Sequence, residues 1–464
     1  MTRVNALVVT ALSILGAFQF ASSFPFKTGV RHDESDLRQP FGNLDAGVDG
    51  SEGGLHAFRE NADALMSHAD FLKGARVPSK ELHNVVFVVR QRNIDELKRI
   101  LYDVSDPEST NYGNHMTPEE VHDLVFDPIA YEQVVEYLTT AGAVVLHEES
   151  QGECITARAE VGLWERMLNT KFHLYAKVTP AEPTKWPSSQ TVFFRSEEYS
   201  VPGGLDAHVD FIMNTIQIPV TKYQRDFVSD LMPIKKPAKS RFSEASNTFA
   251  GWTSPAQLLR RYNILDNSGH PRATQGAFEA FGQKYCPTDL IVFQNLYDLP
   301  RTPINYTHAP AAYTAAECVA AQYSICIESN IDIMYLLAMA DSPTIHYYSD
   351  FNTFAQWAQY AANLGVLPPL VISISYGTDE RRVSFGEYSL FETSTLKLGV
   401  MGVTILIASG DDGVHTGQTR VDASLCGYSP QYPTSCPYVI SVGATQVPAT
   451  FTFFVSSSRR KMRL

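Results

Sequence analysis

Continuous apolar runs separated by helical stretches fill the second half of the chain, and they limit its fold more than any other feature. Leu290-Ile291-Val292-Phe293, Thr344-Ile345-His346-Tyr347-Tyr348, Leu370-Val371-Ile372-Ser373-Ile374-Ser375 and Val403-Thr404-Ile405-Leu406-Ile407-Ala408 read as strands. Phe354 to Leu364 and Phe385 to Leu398 read as helices between them. Strands that are apolar on both faces need cover on both faces. This predicts an α/β fold with a parallel sheet and helices on either side. In such sheets ligands bind beyond the carboxyl ends of the strands. Two polar motifs stand at such ends, Ser375-Tyr376-Gly377 and Ser409-Gly410-Asp411-Asp412-Gly413.

A pair of acids heads another apolar run, Glu328-Ser-Asn-Ile-Asp332-Ile-Met-Tyr-Leu-Leu-Ala-Met-Ala340. The spacing puts both carboxylates on one face of a helix, one turn apart. Two acids so placed can act as a base and its orienter, or share a proton when buried. The plain alternative is two acids in the first turn of a buried helix, favoured by its dipole. Gly410-Asp411-Asp412-Gly413 taken alone has the composition of a turn.

The first half reads differently. Residues 1–23 have the form of a secretory signal, with Arg3, an apolar stretch from Val4 to Phe20 and the small residues Ala21-Ser22-Ser23. Residues 24–54 are rich in Gly, Asp and Ser and read as a flexible segment. A compact domain is expected over residues 55–218, as a small α/β sandwich. Val85 to Val89 is a buried strand, Ile94 to Val104 a helix, and Thr117-Pro118-Glu119-Glu120 a helix start with a capping box. A helix from Ala130 to Ala141 leads into a strand at Ala143 to Leu146. Residues 219–252 carry Lys235-Lys236-Pro237-Ala238-Lys239-Ser240-Arg241, a basic linker open to proteolytic processing. Ser254-Pro255 caps a helix ending near Tyr262.

The 464 residues leave room for two or three domains, and 44% hydrophobic with 19% charged residues suits large cores. A net charge of −13 argues against a nucleic-acid partner. Past the signal, no stretch is long and apolar enough to cross a membrane. Six cysteines in a secreted chain (Cys154, Cys286, Cys318, Cys326, Cys426, Cys436) suggest disulfides, with pairing open. Cys318 and Cys326 lack the spacing of a zinc site. Asn305-Tyr306-Thr307 is a glycosylation sequon.

In chain order, the acidic pair, Ile372-Ser373-Ile374-Ser375-Tyr376-Gly377 and Ala408-Ser409-Gly410-Asp411 resemble the sedolisin family of serine-carboxyl peptidases, which includes tripeptidyl peptidase I. Asp106-Pro107-Glu108-Ser109-Thr110-Asn111-Tyr112-Gly113 looks like the family's propeptide signature. Thr253-Ser254-Pro255, Leu258 and Tyr262-Asn263-Ile264 look like the start of its mature enzyme. The resemblance implies a subtilisin-like sheet in residues 253–449 behind an activation propeptide. It implies a zymogen that cuts peptides or proteins in acid, as an endopeptidase or a tripeptidyl peptidase, in a secreted or lysosome- or vacuole-like compartment. On that pattern Glu328 is the general base and Asp332 orients it. Asp411 donates to the oxyanion when protonated, and Ser375, Tyr376 and Gly377 line the substrate cleft. The partners are substrate and the chain's own propeptide.

Residues 450–464 depart from the family. The family's Gly-Thr-Ser nucleophile motif occurs nowhere in the chain. On the resemblance the chain as written would be inactive, and the family's calcium site is absent with it. The other class of function compatible with these features is a non-catalytic protein whose prodomain inhibits or chaperones a related peptidase.

Overall fold

The structure is a computed structural model, and it describes residues 59–61, 71–146, 151–177, 192–217 and, short stretches apart, 253–444. The signal, the flexible segment, the linker with its processing site and the 450–464 tail all lie outside the described residues.

The N-terminal unit comprises β1 (Phe71–Arg76), β2 (Leu82–Val89), α1 (Ile94–Ser105), α2 (Pro118–Val125), α3 (Pro128–Ala141), β3 (Val144–Val145), β4 (Cys154–Glu160), α4 (Val161–Met167), β5 (His173–Lys177), β6 (Val192–Arg195) and β7 (Val209–Met213). An antiparallel sheet runs β3-β4-β2-β7, and a second runs β1-β5-β6. Strand β2 is apolar on both faces for two different reasons. Val85, Phe87 and Val89 point into this unit's own core with Leu138 and Trp164. Val88 points the other way, into a core shared with the second unit. The expected capping box closes α2, where Thr117 accepts from Glu120 and Glu120 reaches back to the Thr117 amide. Helix α3 starts at Pro128, two residues before the expected Ala130. The Asp127 carboxylate caps it by accepting from the Ile129 and Ala130 amides.

The second unit comprises α5 (Pro255–Arg261), β8 (Thr274–Phe278), α6 (Pro287–Tyr297), β9 (Ile304–His308), α7 (Ala315–Ala320), α8 (Ile327–Met339), β10 (Thr344–Tyr348), α9 (Phe354–Ala362), β11 (Val371–Ile374), α10 (Phe385–Val400), β12 (Thr404–Ala408) and β13 (Ile440–Val442). Among the described residues its main sheet has six strands, all parallel, in the order β9-β10-β8-β11-β12-β13, and Thr378–Asp379 pairs separately and antiparallel with Gln431–Tyr432. This is the α/β sheet expected from the apolar runs, with one correction. Leu290 to Phe293 belongs to helix α6, not to a strand. Leu290, Phe293 and Gln294 are buried while Ile291 and Val292 are exposed, so the burial has a helical period. Pro287, which cannot donate to a ladder, opens the helix. Strands β8 and β9 had no sequence signal, since Thr274-Gln275-Gly276-Ala277-Phe278 is short and half polar.

The two units pack face to face. Val88, Leu97, Val121, Val125, Phe211 and Met213 from the first join Phe354, Trp357, Phe391 and Tyr432 from the second in one core. Two glycines in α10 permit the approach. A Cβ on Gly386 would lie 2.6 Å from the Phe211 ring, and one on Gly399 would lie 2.8 Å from Leu101 Cδ1. Within this seam the Lys397 ammonium of α10 meets the Glu153 carboxylate, with both side chains nearly solvent-free. A buried pair adds little net stability, but breaking it strands a charge. Lys397→Met alone should therefore cost about 3–5 kcal/mol. Pairing it with Glu153→Met should recover most of that, as read by denaturant unfolding of the full chain.

His83 on β2 supplies an acid-sensitive point. Its Nε2–H donates to the Asn214 carbonyl at 2.8 Å, and its ring packs on Phe172 and Phe194. Burial, reinforced by the charge of Arg195, pushes its pKa down from 6.5 to about 4. The unfolded chain therefore binds a proton between these values that the folded chain does not. The neutral ring's contribution is complete above pH 6.5 and is lost as pH falls to about 4. That loss should amount to roughly 3 kcal/mol. Urea unfolding of the first unit at pH 7 and pH 4 should show it, and His83→Gln should flatten the difference.

Candidate active site

The parallel sheet brings three strand ends to one edge. Strands β8, β11 and β12 are immediate neighbours, so their carboxyl ends coincide. Glu279 follows β8, Ser375 and Tyr376 follow β11, and Ser409 to Asp411 follow β12. Helix α8 runs back toward β10, which places its N-terminus, with Glu328, at the same edge. The helix is anchored along its length. Gln275 of β8 donates to the Leu336 and Ala340 carbonyls at 3.4 Å, and the Tyr335 hydroxyl donates to the Thr253 carbonyl at 2.6 Å.

The first turn of α8 is held from the other side by chemistry the sequence left open. Cys318 and Cys326 form a disulfide that ties α7 to the residue capping α8. Asn330 accepts from the Cys286 amide at 2.7 Å and donates to Asp289 Oδ2 at 3.0 Å, so α6 also grips this turn. Cys286 and Cys436 are thiols, and Cys426 lies outside the described residues.

The acidic pair therefore sits where the spacing put it, one turn apart, with Asp332 buried and Glu328 half-buried. The Ser375 hydroxyl donates to Asp332 Oδ1 at 2.9 Å, which joins β11 to the helix. The Tyr376 hydroxyl donates to Glu279 Oε2 at 2.6 Å, and both groups are buried. Burial first, and then the charges of Glu279, Glu328 and Asp332, hold the Tyr376 pKa well above its usual value. Tyr376 is thus a fixed donor to Glu279, within electrostatic reach of Glu328 and Asp332. Glu279 was not among the residues singled out by sequence. Its signal is an acid placed directly behind an apolar strand end, invisible because the strand itself was not recognised.

The remaining motif residues are less enclosed. Gly377 is exposed, and a Cβ there would lie 3.1 Å from Gln431 Oε1 and 3.2 Å from the Tyr432 carbonyl. Asp411 is exposed in the loop beyond β12, where Gly410 takes a φ of +90° that suits glycine. Asn305 lies on β9, the edge strand of the sheet. Among the described residues, no three His, Cys, Asp or Glu side chains are grouped to hold a metal ion. No described helix is long and apolar enough to cross a membrane.

Residues 69–218 match the family described as pro-kumamolisin, activation domain. The chain is 27% identical over 388 residues to tripeptidyl-peptidase 1 of Canis lupus familiaris, covering 81% of this chain and 64% of that protein. It is 27% identical over 390 residues to tripeptidyl-peptidase 1 of Homo sapiens, covering 82% and 64%. The chain thus spans just under two thirds of the length of these relatives. The solved Pseudomonas sedolisin, a serine-carboxyl proteinase complexed with pseudo-iodotyrostatin, aligns with 39% of this chain and 50% of its own at 17% identity and a TM-score of 0.29. The activation-domain match and the tripeptidyl-peptidase 1 relatives together support a sedolisin-family assignment for the chain.

Proposed function

We propose that this site is the acidic part of a serine-carboxyl peptidase that works in acid on peptide or protein substrates and is made as a zymogen. The observation that carries the reading is the gathering of Glu328, Asp332 and Glu279 around Tyr376, with Ser375 bonded to Asp332. Glu328 is the general base that takes the proton of a serine, and Asp332 holds it in place. Ser375 fixes Asp332 in turn, and Tyr376 fixes Glu279. A carboxylate base has an ordinary pKa of about 4.3, so it remains effective where an imidazole is already protonated. Asp411, in protonated form, supplies the oxyanion donor. This activity is that of a chain that carries the family's downstream serine besides these carboxylates. Tripeptide release is the narrower form suggested by the names of the relatives, and the compartment is secreted or lysosome- or vacuole-like. Calcium is expected only with the complete family fold, and no step here runs through it.

The activation domain restrains the enzyme through the α10 seam, where the Glu153–Lys397 pair and the two glycines fit the units together. Loss of β2's outer face from that seam would bare Val88, Phe211 and Met213 to water. One observation favours a second reading. The first unit has a full core of its own, from Val77 to Ile216. Such a unit could bind and inhibit a related peptidase in trans. Inhibition of an active relative by the isolated 69–218 segment would support that role, and no inhibition at acid or neutral pH would remove it.

A protein carrying this site and the Gly-Thr-Ser segment should cleave a peptide best in acid, with a bell-shaped profile. Glu328→Gln should lower kcat by about 100-fold or more while KM changes little. Asp411→Ala should cost on the order of 100-fold. Undiminished cleavage by Glu328→Gln would end the catalytic assignment.

A further inference from the structure

The most unusual charge in the activation domain is far along the chain from the acidic site. Arg195, at the end of β6, is only 7% exposed. Its acceptors among the described residues are all neutral: the Gln217 and Phe194 carbonyls, the latter at 2.8 Å, and Asn214 Oδ1 at 3.4 Å. Burial lowers its pKa only to about 10, so it is a cation at every pH the protein meets. A buried charge without an opposite charge costs several kcal/mol. A guanidinium has five N–H donors, and these three acceptors leave some of them unused.

Arg195 opens on a groove of about 500 Å³, lined among the described residues by Leu82, His83, Asn84, Arg158 and Asn214 as well. None of these is acidic. Arg158 stands opposite Asn84 in the β4–β2 register and donates from Nε to Asn84 Oδ1 at 2.8 Å, which orients its guanidinium along the groove wall. The groups facing His83 are Arg195 from β6, the Asn214 carbonyl beyond β7, and the rings of Phe172 and Phe194. Two guanidiniums and an imidazole thus converge on one space with no described counter-charge.

We propose that this groove binds an oxyanion, the carboxylate of an acidic peptide, between the guanidiniums of Arg195 and Arg158. Planar forks suit a carboxylate in bidentate geometry. The volume accommodates a side chain with its flanking backbone, where a lone ion would need only a fraction of it. Arg195 also lines a smaller space at the domain seam, with Thr353 and Gln356 at the start of α9. The occupied groove is therefore one side chain away from the peptidase unit.

His83 is a built-in reporter, since a bound anion offsets Arg195 and favours the charged imidazole. The test follows the His83 imidazole by NMR through an acid titration of the full chain. The probes are acetyl-Gly-Glu-Glu-Gly-amide, its Gln-for-Glu counterpart, and inorganic phosphate. The acidic peptide should raise the His83 pKa by about one unit, and the Gln peptide should leave it unchanged. Arg158→Gln, an exposed position that spares the core, should weaken the peptide by about tenfold or more. Arg195→Gln should abolish binding. Phosphate acting as strongly as the peptide at equal concentration would support the oxyanion site and assign it to free inorganic anions. Equal binding of the Gln peptide, an Arg158→Gln variant of unchanged affinity, or a His83 pKa unmoved by every probe would overturn the proposal.

Discussion

Everything distinctive about this protein hangs on the order of three parallel strands. Because β8, β11 and β12 lie side by side, residues more than a hundred positions apart are delivered to one edge. Parallel strands must be joined by crossovers, and those crossovers are the helices that cover the sheet and carry the acidic pair. Helix α8 is one of them, and its N-terminus reaches the edge because helices in such units run against the strands. The Ser375–Asp332 and Tyr376–Glu279 hydrogen bonds then join separate elements into a single polar assembly.

That assembly is costly to hold together. Three carboxylates near one phenol repel when charged, and the low-dielectric surroundings sharpen the cost. The fold supports it with rigid anchors on the opposite side of α8: the Cys318–Cys326 disulfide, the Asn330 bridge to Cys286 and Asp289, and the Gln275 contacts further along. A site that must keep two acids one turn apart in fixed register is better served by a pinned helix than by a loop.

The activation domain uses a different principle. Its β2 strand is buried on both faces, one toward its own core and one toward the α10 seam, so docking and folding draw on the same strand. Acid acts on this domain through His83, whose neutral form is favoured by burial. A fall in pH therefore weakens the unit that packs against the parallel-sheet unit.

Much of this was legible in the sequence. The apolar runs of β10, β11 and β12 revealed a parallel sheet, and Thr117-Pro118 and Ser254-Pro255 marked helix starts through local capping chemistry. The spacing of Glu328 and Asp332 placed them on one helical face, because periodicity is a property of neighbours in the chain. Leu290 to Phe293 reads as a strand in sequence but is helical in the structure, since a four-residue apolar run carries no period of its own and only burial separates the two forms. Tertiary structure alone decided which strands adjoin, and with that the meeting of Glu279 with Tyr376, the choice of Cys326 as partner for Cys318, and the burial of Arg195 among neutral acceptors, as far as the described residues go. Each depends on contacts between distant segments, which the chain sets only once the whole sheet has closed.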